Sequence, residues 1–228
     1  MTPREFSERL AKRARKANVA LDPQAAESLG AYYRLLEFWN EKVNLTAFSL
    51  KDAPDEAIDR LLIEPLVAAR HLHGIHGQGH GPHLGLHPRL LDIGSGGGSP
   101  AIPLKIAIPS LHVLMVESKT RKSAFLREAV RHLSLADTSV ETARAEDLLT
   151  RPELHETQDL VSVRAVRMEQ KLLTSIQAFL RLGGRILLFK TSTGTDTPPL
   201  VAPPLVYEAT WTLVETLRSR LIVLRKML

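Results

Sequence analysis

The residues best placed to do chemistry in this 228-residue chain lie in one stretch, Leu90-Leu-Asp-Ile-Gly-Ser-Gly-Gly-Gly-Ser-Pro-Ala-Ile-Pro-Leu104. An apolar run, Leu90, Leu91 and Ile93, suits a buried parallel strand, and Ser99 before Pro100 suits an N-cap followed by proline at the first helical position. Between them Gly94, Gly96 and Gly98 allow positive φ and a close backbone approach to a ligand. A strand, a glycine turn and a helix in this order form a nucleotide-shaped cradle. A dinucleotide fingerprint would need a third glycine where Ser99 stands, and a phosphate loop would need a following Gly-Lys-Ser/Thr; both are missing.

What remains is an acid, Asp92, two residues before alternating glycines, and this resembles the S-adenosylmethionine loop of Rossmann-like methyltransferases. The next apolar run, His112-Val-Leu-Met-Val-Glu-Ser118, ends on a carboxylate. Glu117 is therefore expected to accept hydrogen bonds from the two vicinal hydroxyls of a ribose. Arg164, at the end of another apolar run, falls where ligands bind in open α/β sheets. A bland reading exists for each: a tight turn for the glycines and a surface salt bridge for Arg164.

These residues need a scaffold, and the rest of the chain supplies one. Hydrophobic residues make up 44% of the sequence, enough for the core of one α/β domain with a helical extension. No run of about eighteen apolar residues and no secretory signal is found, so a cytoplasmic location without membrane contact is expected. The absence of cysteine excludes disulfides, thiolate zinc sites and the cysteine adduct that usually activates pyrimidine C5 for methylation. A net charge of +5 favours a polyanionic partner.

From Leu90 on, strands and helices alternate, which predicts a mostly parallel sheet with helices on both faces. Strands are expected at 90–94, 112–117, 138–142, 160–165 and 185–190, and helices at 99–108, 119–133, 145–150 and 168–181. After a Pro-rich break at 197–204, strands at 205–214 and 221–225 fit an antiparallel edge hairpin, giving seven strands in all. Upstream, residues 4–17 form a basic amphipathic helix, and a second helix starting at Asp22-Pro23 carries Leu29, Tyr32, Tyr33, Leu36, Trp39 and Val43 on a face expected to be core. A third follows Pro54 to about His71, kinked or broken by Pro65 near Glu64. The expected divisions are a helical extension (1–72), a His/Gly-rich linker (73–88) and the α/β domain (89–228). The linker histidines have no spacing that fixes a metal geometry, so no metal site is assigned.

Taken together, the chain resembles the RsmG (GidB) family, whose members make 7-methylguanosine in bacterial 16S rRNA. The resemblance rests on Phe38-Trp-Asn-Glu-Lys-Val-Asn-Leu-Thr46, the loop 92–104, Glu117-Ser with Lys119, Arg121 and Lys122, Arg144-Ala-Glu-Asp147, Arg164-Ala165 and Gly183-Gly-Arg-Ile-Leu-Leu-Phe-Lys190. It implies a Rossmann-like class I methyltransferase fold, with S-adenosylmethionine as cofactor and S-adenosylhomocysteine as product. It implies cofactor contacts at Asp92, Gly94, Gly96, Gly98, Ser99, Glu117, Ala145, Glu146 and Arg164, with Arg164 also positioning the reactants. For the partner, 16S rRNA or the small ribosomal subunit, it implies a monomer gripping RNA through Lys119, Arg121, Lys122, Arg127, Arg131, Arg144, Arg167 and Lys190.

Guanine N7 carries an exposed lone pair, so its methylation needs alignment and exclusion of water and no general base. In keeping with this, Ser162-Val-Arg-Ala165 stands where exocyclic-amine methyltransferases carry Asn/Asp-Pro-Pro-aromatic. The chain departs from the family pattern at Leu61, Glu64 and Pro65 in the third helix, at Ser99 and Ala101 in the loop, and at Ala-Val-Arg after Arg164. Two alternatives therefore stand beside this reading: a methyltransferase of the same fold acting on another RNA base or a small molecule, and a ribosome-binding protein without catalysis.

Overall fold

The computed structural model describes residues 1–74, 86–164, 170–192 and 201–228. Seven strands form one sheet: β1 (Arg89–Ile93), β2 (His112–Val116), β3 (Thr138–Glu141), β4 (Gln158–Arg164), β5 (Leu180–Thr191), β6 (Leu205–Thr212) and β7 (Ser219–Lys226). Their order is β3-β2-β1-β4-β5-β7-β6; the first five are mutually parallel, and β7 runs antiparallel to both β5 and β6. β7 is thus interior, and β6 alone is the outer edge of the expected hairpin. The sequence-based expectation for β5 began at 185, yet the strand starts at Leu180. Gly184 permits this, because a Cβ there would lie 2.9 Å from the Arg181 carbonyl and 3.1 Å from that of Gln158.

Strand alternation sends the apolar side chains to opposite faces. Leu90, Met115, Leu160 and Leu187 pack under one layer of helices, while Leu91, Val116, Val161 and Leu188 pack under the other. The first layer contains α1 (Pro3–Lys16), α2 (Pro23–Val43), α3 (Asp55–Ile58), α4 (Glu64–Gly74), α5 (Ala101–Ala107) and α6 (Thr120–His132); α7 (Ala145–Leu148) and α8 (Gln170–Ile176) lie on the second. The helices before the sheet therefore share an apolar core with α5 and α6. Tyr32, Tyr33 and Leu36 are buried in it, as their helical spacing predicts.

Some of the cations of the basic helix α1 are engaged within the fold. Arg13 Nε donates to Asp59 Oδ1 at 2.7 Å and Arg9 Nη1 donates to the carbonyls of Asp52 and Ala53, so two of its cations anchor the third helical segment and the turn that leads into it. Pro65 neither breaks nor ends that segment. A π turn, Asp59–Ile63, joins α3 directly to α4, which runs to Gly74 because its first turns, Leu66, Val67, Ala68 and Ala69, are buried all round and Leu72 continues the burial. The first two residues of the expected 73–88 linker are accordingly helical; residues 75–85, with His76, His80 and His83, lie outside the described residues. Among the described residues no helix is long and apolar enough to cross a membrane.

Candidate functional site

The glycine loop leaves β1 at the sheet's topological switch point, where β1 has β2 on one side and β4 on the other. Gly96 has φ +52°, and its N–H donates to Glu117 Oε2 at 3.0 Å, while Lys119 N–H donates to Oε1 at 2.8 Å. Glu117 thus staples the loop to the end of β2, and each oxygen keeps a further lone pair. Gly98 (φ +87°) serves packing: a Cβ there would lie 2.5 Å from Ile102 Cδ1 and 3.2 Å from Leu126 Cδ2. The space expected for a ligand at that position is filled by the chain itself.

Ser99 is not the N-cap that its sequence suggests. The helix starts at Ala101, with Pro100 as cap and no capping side chain. The Ser99 hydroxyl donates instead to the Leu61 carbonyl at 2.8 Å and accepts from Arg164 Nη1 at 3.2 Å. Beneath the loop Asp92 is buried; its Oδ1 accepts from Ser162 Oγ at 2.5 Å, and its Oδ2 has no hydrogen-bond partner. Burial pushes this carboxyl above the usual carboxylate range.

Arg164 ends β4 and is held on every side. Its Nη2 donates to Glu64 Oε2 at 2.8 Å and Nη1 to the Arg60 carbonyl at 2.5 Å, and its guanidinium carbon lies 4.6 Å from the Phe189 ring centre. Glu64 Oε1 also pairs with Arg60 Nη1 at 2.9 Å, so one buried carboxylate bridges two guanidiniums. Burial pushes the Glu64 carboxyl up, opposed chiefly by Arg164; burial pushes the Arg164 guanidinium down, opposed chiefly by Glu64. Neither the surface salt bridge nor a free cation describes this residue.

Why two main-chain carbonyls of a helix are available follows from the π turn. The Glu64 N–H bonds to the Asp59 carbonyl, one residue beyond its α partner, Arg60. Pro65 has no N–H to give to Arg60 in π register or to Leu61 in α register. Arg164 takes the first carbonyl and Ser99 the second.

A cavity of about 550 Å³ opens at the C-terminal ends of β1, β4 and β5. The loop Gly94–Gly97 and Ser99, Arg164 and Glu64, Leu36 with Leu45–Phe48, and Leu188–Thr191 line it. Its size suits a small-molecule ligand. It gathers Gly94, Gly96, Ser99, Arg164 and Lys190 from the expected set. Glu117, Ala145 and Glu146 do not line it; they sit beyond the loop at the ends of β2 and β3, with Glu146 exposed. Lys119, Arg121 and Lys122 occupy the cleft end of α6. Arg131 lies about 15 Å further along that helix, and Arg127 is tied to the Val140 carbonyl and Thr142 Oγ1. Arg144 is exposed before α7, and Arg167 falls outside the described residues.

Sequence reasoning missed Arg60 and the part played by α2. The Tyr32 hydroxyl donates to the Gly97 carbonyl at 2.5 Å, and a Cβ on Gly97 would lie 3.1 Å from Leu36 Cδ1, so the helical extension forms one wall of the loop. The signal for Arg60 was an i,i+4 Arg/Glu pair directly before a proline inside a helix.

A family model described as rRNA small subunit methyltransferase G matches residues 25–197, leaving α1 and the β6–β7 hairpin outside the match. The ribosomal RNA small subunit methyltransferase G of Roseiflexus castenholzii is 39% identical over 176 residues, covering 77% of this chain and 69% of the relative. That of Leuconostoc mesenteroides subsp. mesenteroides is 32% identical over 192 residues, covering 84% and 74%. Among solved structures, a mutant of MtNAS in complex with S-adenosylmethionine aligns with a TM-score of 0.56 at 13% identity, over 96% of this chain and 88% of that one, a likeness of fold.

Proposed function

The chain belongs to the rRNA small subunit methyltransferase G family, and from that premise we propose that it transfers a methyl group from S-adenosylmethionine to N7 of a guanine in 16S rRNA. The observation that carries this is the meeting, in one cavity, of the glycine loop after β1 with Arg164 at the end of β4. The residues present fit the donor. Glu117 offers two carboxylate oxygens with spare acceptor capacity for ribose hydroxyls, and Gly94 and Gly96 leave backbone open to the cavity.

When bound, the donor supplies a methyl group made electrophilic by its sulfonium. Glu117 would hold the ribose, Ala145 and Glu146 would border the adenine, and Arg164 would orient the methionine portion. Asp92, Gly98 and Ser99 would act through the shape of the loop. Leu36, Leu45, Phe48 and Phe189 would exclude water from the reacting atoms. No residue has to remove a proton, since N7 attacks through its own lone pair. Lys190 at the rim, with Lys119, Arg121, Lys122 and Arg144, would meet RNA phosphates.

Incubation with S-adenosylmethionine and unmodified small subunits, followed by nucleoside mass spectrometry, is expected to yield 7-methylguanosine. Methylation at another base, or of a small molecule only, would reassign the substrate. Cofactor binding without any methylated nucleoside would sink the enzymatic reading on this substrate.

A further inference from the structure

We propose that Glu64 is a positioning residue that fixes the Arg164 guanidinium at the cavity wall in the orientation in which it meets the methyl donor. This rests on the reading of the cavity as the donor site. The geometry supports it at four points. Glu64 is almost fully buried yet borders the cavity, and its two oxygens are divided between Arg60 Nη1 (2.9 Å) and Arg164 Nη2 (2.8 Å). The other terminal nitrogen of Arg164 is held by a carbonyl, Arg60 O, that Pro65 leaves without a helical donor. The Phe189 ring supports one face of the guanidinium.

A guanidinium needs such restraint because an unrestrained arginine loses several rotamers when a ligand binds, and that ordering cost weakens affinity. Here the partners fix the fork before any ligand arrives. Two guanidiniums against one carboxylate also leave the wall one positive charge in excess, which suits a site receiving a ligand that carries a carboxylate. A glutamine in place of Glu64 would keep the volume while removing the charge that aligns both arginines.

The test is calorimetric titration of S-adenosylmethionine into the full chain and into Glu64→Gln, Glu64→Asp, Arg164→Gln and the double variant Glu64→Gln/Arg164→Gln, with thermal melts of each. Glu64→Gln is expected to weaken donor binding at least tenfold and to raise KM for the donor, with kcat at saturating donor changed less than threefold. Glu64→Asp restores the charge and should recover most of the affinity. In the Arg164→Gln background, Glu64→Gln should add less than a twofold loss, because its effect passes through Arg164. Donor binding within twofold of the parent in Glu64→Gln, or losses that multiply in the double variant, would overturn the inference. A parent chain that does not bind the donor would instead overturn the reading of the site.

Discussion

Arg164 shows how far one side chain can depart from what its place in the sequence suggests. It is an arginine at a strand end, but three of its five N–H groups go to Glu64, the Arg60 carbonyl and Ser99, and Nε has no partner. Arg164→Ala is expected to abolish methyl transfer and to cost about 3 kcal/mol of stability, the scale for breaking a buried ion pair, moderated by the Arg60 that stays on Glu64. Urea unfolding alongside the nucleoside assay checks both; unchanged turnover would remove Arg164 from the site. Asp92 makes a second prediction. Its folded-state pKa is raised by burial, so the native state binds a proton more readily than the unfolded chain, and ionising the carboxyl costs stability as pH rises above about 4. Asp92→Asn should therefore gain stability relative to the parent as pH increases from that point, while Ser162 Oγ keeps its acceptor. Urea midpoints that run parallel across the pH series would contradict this.

At the scale of elements, the third helical segment does the most unexpected work. A proline in a helix interior usually costs about 3 kcal/mol, and here the accompanying π turn turns two orphaned carbonyls toward Arg164 and Ser99. Pro65→Ala restores an N–H that competes for those carbonyls. The expected result is a melting temperature equal to or above the parent's, with donor affinity reduced several-fold; calorimetry and circular dichroism measure the two, and an unaltered affinity would show that the carbonyls do not matter. Most element types were legible from periodicity: β1, β2 and β4 as apolar runs, and α2 from its Asp22-Pro23 start, where Asp22 Oδ1 accepts from Ala25 N–H at 2.8 Å. Boundaries were less legible. Ser99 reads as a cap because Ser-Pro usually begins a helix, and the neighbouring Leu61 carbonyl and Arg164 guanidinium hold its hydroxyl elsewhere.

Over the whole molecule, the charge of +5 is unevenly employed. Arg9, Arg13, Arg60, Arg164 and Arg185 are committed to internal partners, whereas Lys119, Arg121 and Lys190 are exposed around the cleft end of the sheet. Each phosphate contact contributes roughly 0.7–0.9 to the slope of log affinity against log salt. Replacing Lys119, Arg121 and Lys122 together by alanine should therefore lower the slope for small-subunit RNA by about 2 to 3 while leaving donor binding intact; an unchanged slope would place the RNA elsewhere. The sequence by itself determined the α/β class, the glycine loop, the carboxylate ending β2 and the arginine ending β4, because spacing along one chain is enough to specify a strand and a turn. Only the tertiary structure decided that Glu64 and Arg60 meet Arg164 and that α2 walls the loop. Those pairings join residues as far as about 100 positions apart on the chain; no local periodicity encodes them, and they exist only once the helices before the sheet close onto the ends of its strands.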